Sequence, residues 1–155
     1  MGREVHVSKR GCEPTRKRFM TMLFNVDRAR KGMAENKGSK MSARIISEND
    51  AKDSRELGGL VREYVMGEHL HFLIGYFKPG EGLREHCHVQ PEEVYYVLKG
   101  KGKALMENKW VDVREGTVIY IPPGVVHTVK NVGNEELQVV FFLSPPEKGT
   151  LKVVE

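Results

Sequence analysis

The segment between Gly80 and Asn131 contains three histidines, His86, His88 and His127, and a glutamate, Glu93, whose side chains could meet only along certain backbone paths. His86 and His88 are separated by one residue, so in an extended strand both side chains point to one face while Cys87 points to the other. Imidazole and carboxylate groups are ligands that suit divalent transition metals. The pair therefore predicts a short strand that directs two metal ligands at one point.

Glu93 follows His88 by five residues, which is the wrong parity for a continuation of the same strand. Pro91 lies between them, and a proline ends ladder pairing and fixes its own φ, so the chain can turn there. A return strand that begins near Glu92 would bring Glu93 back beside the histidines. Glu93 is thus a candidate for the third ligand of the same site.

A second turn precedes the last candidate ligand. The apolar segment Val118–Ile121 predicts a strand that ends at the turn sequence Pro122-Pro123-Gly124. His127 follows at the start of the next strand, where it could complete the site. The predicted ligands of one divalent transition metal (Mn, Fe, Ni, Co, Zn or Cu) are His86, His88, Glu93 and His127.

These two segments resemble the two sequence motifs of the cupin superfamily. The first motif is glycine, five residues, His-x-His, three or four residues, Glu, six residues and Gly, and it is matched at Gly80, His86, His88, Glu93 and Gly100. The second is glycine, five residues, Pro-x-Gly, two residues, His, three residues and Asn, and it is matched at Gly116, Pro122, Gly124, His127 and Asn131. Fifteen residues separate Gly100 from Gly116, as in a small single-domain cupin.

The resemblance implies an all-β fold, the cupin-type double-stranded β-helix or jelly-roll barrel, with the metal inside it. It also implies a metal-dependent enzyme that acts on a small oxygen-bearing substrate, by dioxygenase, decarboxylase or isomerase chemistry. Small cupins are often homodimers, so a homodimer is expected. The resemblance covers the two motifs directly and, by implication, a barrel core over residues 55–148.

The turn spacing predicts the same fold class without the family. Short apolar strands recur every eight to twelve residues between Gly, Pro and Asn turns, which is typical of an all-β sandwich or barrel. Predicted strands cover residues 60–66, 69–77, 93–98, 103–107, 110–113, 118–121 and 136–143, with a hairpin turn at Gly100–Gly102.

A second His-x-His pair lies in the predicted strand 69–77. Leu70, Phe72, Ile74 and Tyr76 share one face of that strand, and His69 and His71 share the other. No carboxylate follows this pair at a usable spacing. We therefore predict that His69 and His71 belong to a polar or partner-facing surface rather than to a second metal site.

The basic charge of the chain is confined to its N-terminal part. Residues 1–40 contain 11 Lys and Arg against 4 Asp and Glu, a net charge of +7, whereas residues 41–155 have a net charge of −3. We predict a basic extension over 1–40, partly disordered, with a short amphipathic helix near 15–31, and a barrel domain over 41–155. Met41 could also be the true start.

Composition limits the location and the partners. Two cysteines, Cys12 and Cys87, are too few for a disulfide framework, which favours a reducing cytoplasm and a role for Cys87 as a small buried residue. No apolar run is long enough for a signal sequence or a membrane span, so no membrane partner is expected. Nucleic-acid binding is supported only by the basic composition of the extension. We favour the alternative that the extension is a tail that packs on a neighbouring subunit or frays.

Four protein ligands leave one or two positions open on a metal that binds five or six groups, and an open position is typical of catalytic sites. Tyr95 shares the strand face of Glu93 and is the predicted catalytic residue. Weaker candidates for acid or base groups are Tyr76, Arg84, Glu85 and Glu92. An enzyme is the favoured interpretation, and a metal-bearing ligand-binding or sensing module without turnover is the alternative.

Overall fold

The computed structural model describes residues 42–149 and 151–154, and the backbone alone for residues 19–21. The strands are β1 (Phe19–Thr21), β2 (Lys52–Ser54), β3 (Leu60–Met66), β4 (His71–Phe77), β5 (His86–Cys87), β6 (Glu92–Lys99), β7 (Lys101–Met106), β8 (Lys109–Arg114), β9 (Val118–Ile121), β10 (His127–Asn131), β11 (Leu137–Ser144) and β12 (Lys152–Val154). A single 3-10 turn, Glu48–Asp50, precedes β2 in this part of the chain. Across the same residues, no helix has the length and apolar character needed to cross a bilayer.

Two antiparallel six-stranded sheets form the barrel. One sheet has the strand order β1-β12-β5-β10-β7-β8, and the other has the order β2-β3-β4-β11-β6-β9. The inner faces of both sheets supply the buried core, which includes Phe77, Tyr95, Val129, Val139 and Phe141. The predicted all-β double-sheet barrel is therefore confirmed.

The turns around the candidate ligands are those that the sequence predicts. β6 begins at Glu92 and returns after Pro91, and β9 ends at Ile121 before the Pro-Pro-Gly turn. β10 begins at His127. Because β5 and β10 lie side by side in one sheet while β6 lies in the other, the ligands converge from opposite walls of the barrel.

The predicted hairpin at Gly100–Gly102 is wrong. β6 and β7 lie in different sheets, since β6 pairs with β11 and β9 whereas β7 pairs with β10 and β8. Gly100 has φ +85°, and a Cβ there would lie 2.7 Å from the carbonyl oxygen of Glu136. This glycine therefore lets the chain turn a corner from one sheet to the other, close against the chain before β11.

The prediction for the second His-x-His pair is wrong for His71. His71, Gly75 and Phe77 are buried on the inner face of β4, whereas Phe72 and Tyr76 lie on the outer face. A Cβ on Gly75 would lie 2.5 Å from the Phe77 ring, so the glycine makes room for that ring in the core. His69 precedes the strand and is exposed, as predicted.

Both ends of the described chain meet in one sheet. Phe19 of β1 is in register with Val154 of β12, and β12 also pairs with β5. The helix predicted near residues 15–31 is therefore wrong for the three residues of β1, and the rest of it lies outside the described residues. The division into residues 1–40 and 41–155 stays a prediction, and β12 lies beyond the predicted core end at residue 148.

Cys87 is buried on β5, as predicted, and it takes part in a disulfide bond. The other cysteine of the sequence, Cys12, lies outside the described residues. Disulfides persist chiefly in oxidising compartments. This bond gives no support to the cytoplasmic location, which was inferred from the low cysteine count and stays a prediction.

Candidate metal centre

The four predicted ligands form one cluster inside the barrel. One ligand atom from each residue lies within 4.8 Å of the others, and all four side chains are buried: His86, His88, Glu93 and His127. Neighbouring strands bring them together, because His86 of β5 is directly opposite His127 of β10. Glu93 enters from the facing sheet through β6.

Two of the histidines are oriented by backbone carbonyl groups. The Nδ1–H of His86 donates to the carbonyl oxygen of Arg84 at 2.8 Å, and that of His127 donates to the carbonyl oxygen of Val125 at 2.8 Å. A carbonyl oxygen can only accept, so the proton of each neutral ring lies on Nδ1. Nε2 of each ring is then left with a lone pair for a metal.

His88 is oriented by a buried carboxylate. Its Nδ1 donates to Oε2 of Glu147 at 2.7 Å, and Oε1 of Glu147 accepts the backbone N–H of Leu151 at 3.1 Å. A carboxylate on the far nitrogen is a common partner of a metal-bound histidine, where it fixes the ring and raises its basicity. The sequence analysis missed Glu147, which lies 59 positions from His88 and outside any motif.

The polar atoms that face the centre of the cluster have no hydrogen-bond partner among the described residues. They are Nε2 of His88, Nε2 of His127 and Oε2 of Glu93, and all three are buried. Oε2 of Glu93 lies 3.1 Å from His88 Nε2 and 2.9 Å from His127 Nε2, without hydrogen-bond alignment. An unsatisfied buried polar group costs about 1–3 kcal/mol. A cation among these atoms would remove that cost, so the donor set fits a divalent transition metal.

The electrostatics of the cluster favour a charged carboxylate. Burial opposes ionisation of Glu93, but the neighbouring charges and contacts of His88 and His127 hold its pKa well below the ordinary value. Burial also opposes the charged form of His88, yet Glu93 and Glu147 raise its pKa to about 9. Burial, together with the charges of His127 and His88, holds the pKa of His86 well below its ordinary value.

Tyr95 lies next to the cluster, two residues after Glu93 on the same strand, β6. Its ring stands edge-on to His127 with centroids 5.7 Å apart, and its buried hydroxyl group has no partner in the part of the chain described. Burial, and then the charge of Glu93, raise the pKa of Tyr95 well above 10.0. The hydroxyl group therefore stays protonated and can donate a hydrogen bond.

The weaker candidates lie away from the ligand atoms. Tyr76 is on the outer face of β4, where its hydroxyl group contacts that of Tyr64 at 3.1 Å. Glu92 is exposed, and the guanidinium of Arg84 contacts the carbonyl oxygen of Glu56. The backbone carbonyl of Glu85 accepts a bond from Val154 N–H at 2.8 Å. Arg84 contributes to the site through its backbone carbonyl rather than through its charge.

A pocket of about 280 Å³ is lined mainly by apolar residues between β7 and the turn before β10, and none of the four candidate ligands lines it. Its lining includes Met106 and Ile121, which are directly opposite His127 and Glu93 in the two sheets, and Val125. Strand neighbours of two candidate ligands therefore border this pocket.

The fold and the site together define the class of protein. A family model described as a cupin domain matches residues 74–143. The chain is 31% identical over 111 residues to the polyketide synthase CurC of Streptomyces cyaneus, an alignment that covers 68% of this chain and 72% of CurC. The chain belongs to the cupin superfamily, as its two motifs predicted.

Other relatives share shorter segments. The chain is 39% identical over 61 residues to protein MJ1618 of Methanocaldococcus jannaschii, which covers 39% of this chain and 49% of that protein, so the chain spans about half of its length. It is 37% identical over 71 residues to the glucose-6-phosphate isomerase of Thermococcus kodakarensis, covering 41% of this chain and 37% of the isomerase.

The fold is shared with solved structures. A protein of Thermotoga maritima described as a predicted oxalate decarboxylase superposes with a TM-score of 0.57 and 21% identity, over 66% of this chain and 99% of that one. At this level of identity the similarity is one of fold.

Proposed function

We propose that His86, His88, Glu93 and His127 bind one divalent transition metal (Mn, Fe, Ni, Co, Zn or Cu), and that the protein is a metal-dependent enzyme for a small oxygen-bearing molecule. The observation that carries the proposal is the convergence of buried, unpartnered ligand atoms. The Nδ1 atoms of the histidines are already committed to other partners. The donors are thus held ready for an ion.

When bound, the metal would supply Lewis-acid chemistry at a substrate oxygen or, in the case of iron, redox chemistry. Tyr95 would donate a hydrogen bond to an oxygen of the substrate, because its hydroxyl group stays protonated beside the ligands. Met106, Ile121 and Val125 would hold an apolar part of the substrate and exclude water. Tyr95 is thereby the proposed catalytic residue.

The reaction class is proposed from this chemistry and from the relatives. A metal beside an oxygen-bearing group of a substrate can serve dioxygenase, decarboxylase or isomerase chemistry, because it polarises that oxygen or, for a redox metal, transfers electrons. An isomerase and a protein described as a decarboxylase are among the similar proteins, which supports the last two classes. Four protein ligands would leave one or two positions open on a metal that binds five or six groups, which supports turnover of a small substrate rather than a closed structural site.

The second candidate is a ligand-binding or sensing module without turnover. The raised pKa of Tyr95 favours it, since a phenol that stays protonated cannot accept a proton from a substrate near neutral pH. The two candidates share the metal site and differ only in whether a bound molecule is changed.

The first experiment is metal analysis by mass spectrometry on protein purified without an affinity tag or added metal. We expect about one transition metal per chain, and His127→Ala should lower the metal content sharply while circular dichroism remains that of a folded β protein. His69→Ala, which removes an exposed histidine, is the matched control. Unchanged metal in the His127 variant would remove His127 from the site, and wild type without metal after reconstitution would refute the proposal.

Oxygen uptake after loading with Fe(II) then separates the reaction classes. Uptake that depends on an added substrate supports a dioxygenase. A metal-loaded protein that converts a hydroxy acid or sugar phosphate without uptake supports a decarboxylase or isomerase. Binding without conversion across such a panel supports the second candidate.

We further propose that the protein is a homodimer. The outer face of the sheet that contains β4, β11 and β6 carries apolar side chains in register. Phe142 lies between Phe72 and Val94, and the buried Val140 lies between Ile74 and Tyr96. Exposed Val118 and Tyr120 of β9 extend it. Surfaces of this kind mark interaction sites on soluble domains, and a second copy of the chain presents the same surface.

A further inference from the structure

A second polar pair lies inside the barrel, apart from the metal ligands. His71 of β4 is 6% exposed, and its Nε2 lies 3.0 Å from Oε2 of Glu63 on β3. The other ring nitrogen, Nδ1, is buried and has no hydrogen-bond partner among the residues that the structure describes. A buried ring nitrogen without a partner is costly, so it calls for a ligand.

Strand register places this histidine in the same row as Glu93. Leu143 of β11 is directly opposite Glu93 on one side and directly opposite His71 on the other. Residues in register on neighbouring strands point to the same face, and all three of these are buried. Two strand spacings of about 4.8 Å separate Glu93 from His71 by about 10 Å.

The pair fixes which nitrogen of His71 carries the proton. The hydrogen bond with His71 is the main reason that the pKa of Glu63 is lowered, so Glu63 is an ionised carboxylate that accepts the Nε2–H. In a neutral imidazole the remaining lone pair is then on Nδ1. The other charged group at Glu63 is Lys52, whose Nζ lies 3.8 Å from Oε1 and whose side chain is exposed. In the neutral ring, Nδ1 of His71 is thus a hydrogen-bond acceptor that the contact between Nε2 and Glu63 holds in place.

We propose that His71 is a second anchor for the molecule that binds at the metal centre, and that this molecule is a short polyhydroxylated acid or related polyol. Its carboxylate or hydroxyl oxygens would bind the metal, and a hydroxyl group at its far end would donate to Nδ1 of His71. Leu143, a buried residue, lies in register between the two anchors. Glu63 acts as a positioning residue through His71. The inference rests on the proposed metal site and adds the class and length of its ligand.

The test compares two probes that bind a metal through the same group. Glycolate has two carbons and cannot reach His71, whereas threonate has four carbons and further hydroxyl groups. Titrations of the Co(II)-loaded protein, followed by visible absorption, should show threonate binding about fivefold tighter than glycolate, since one buried hydrogen bond is worth about 1 kcal/mol. His71→Leu should remove most of that preference and leave the glycolate affinity unchanged.

Two further variants keep the test decisive. Glu63→Gln preserves the shape of the pair and should reduce the preference for threonate about threefold, through loss of the charged acceptor. His69→Leu, at the exposed histidine, should change neither affinity. Equal affinities of the wild type for the two acids, or equal losses for both in the His71 and Glu63 variants, would overturn the inference.

A readout without metal separates this inference from the metal proposal. Nitrogen-15 spectra of the histidine rings in the metal-free protein should show His71 protonated on Nε2, with a shift of Nδ1 when threonate is added at high concentration. Wild type that takes up no Co(II) refutes the metal centre alone. A His71 ring that is protonated on Nδ1, or that does not respond to threonate, refutes the second anchor alone.

Discussion

Each histidine of the candidate metal centre has one ring nitrogen committed to a partner on its outer side. For His86 and His127 that partner is a backbone carbonyl, and for His88 it is the carboxylate of Glu147. A carbonyl fixes the orientation of a ring, whereas a carboxylate also increases its electron density. His88 is therefore the ligand whose affinity for metal and for protons can be altered by a single distant residue.

Replacement of Glu147 by glutamine tests that role. Glu147→Gln keeps the size of the side chain but removes the charge beside Nδ1 of His88, so we expect the affinity for Zn(II) or Co(II) to fall by about 10–100-fold. Competition with a chelating indicator measures the change. Glu92→Gln, an exposed neighbour of a ligand, is the matched control. An unchanged affinity in the Glu147 variant would show that the carboxylate does not act on the metal site.

The raised pKa of His88 predicts opposite pH dependences for metal binding and for stability. Before metal binds, the pKa of about 9 means that His88 is protonated at neutral pH, and a metal must displace that proton. Affinity should rise about tenfold per pH unit up to that pKa and then level off. A slope of zero between neutral pH and pH 9 would contradict this account.

Stability without metal should change in the other direction. A pKa that is raised on folding contributes stability that is fully present below the unfolded value of 6.5 and is lost as the pH rises through about 9. The free energy of unfolding, measured with urea in the presence of a chelator, should therefore fall across this window. In Glu147→Gln the fall should be smaller, because one of the groups that raises the pKa is gone.

The sequence predicted that these four side chains would meet because their arrangement depends on local rules. One intervening residue directs His86, on β5, and His88, just after the end of β5, to the same side of the chain, and a proline turn explains the parity of Glu93. Glu147 and the Glu63–His71 pair depend on contacts between strands that are distant in sequence. The spacing of residues within one strand does not say which residues of distant strands will be in contact. The sequence alone therefore did not indicate these two interactions.

At the scale of elements, the corner at Gly100 decides how the two sheets are connected. The segment Gly100–Gly102 has the composition of a hairpin turn, but β6 and β7 enter different sheets. The pairing partners of β6 are β11 and β9, and both follow it in the chain. The residue composition identifies a turn in this segment, whereas the strands with which β6 and β7 pair depend on contacts across the whole barrel.

Gly100→Ala should destabilise the barrel more than the same change at Gly116. Both glycines have positive φ, +85° and +82°, but a Cβ at Gly116 would meet no atom within 4 Å. Gly116→Ala therefore measures the backbone strain alone, about 1 kcal/mol, while Gly100→Ala adds the contact with the Glu136 carbonyl and should cost about 3 kcal/mol. Urea unfolding compares the two, and equal losses would show that the close approach at Gly100 has no energetic effect.

β4 shows why the inner face of a strand can be misjudged. Its outer face carries Phe72, Ile74 and Tyr76, and the inner face carries His71, Leu73, Gly75 and Phe77, so hydrophobicity does not tell the two faces apart. The core accepts this face because the Phe77 ring occupies the space above Gly75 and because Glu63 pairs with His71. Alternation predicted the two faces correctly and could not say which one is buried.

At the scale of the whole molecule, the apolar outer face of this sheet predicts self-association. Tyr96 is 38% exposed near its middle, so Tyr96→Arg should place a charge in the proposed interface and weaken the dimer about tenfold or more. Val132→Arg is the matched control, since Val132 is 55% exposed in a turn outside that face. Light scattering at several concentrations gives the masses. A monomeric wild type, or equal effects of both changes, would contradict a dimer through this face.

The connection between His88 and Glu147 also has a consequence for protein synthesis. Residues emerge from the ribosome in chain order, and all four ligands precede Glu147 and the strand Lys152–Val154, which pairs with β5 beside His86. A nascent chain therefore exposes its complete ligand set before the side chain that orients His88 is available. In the proposed metal site, the four candidate ligands would therefore be complete before the partner that orients His88, and a chain stalled before Glu147 would present those side chains without it.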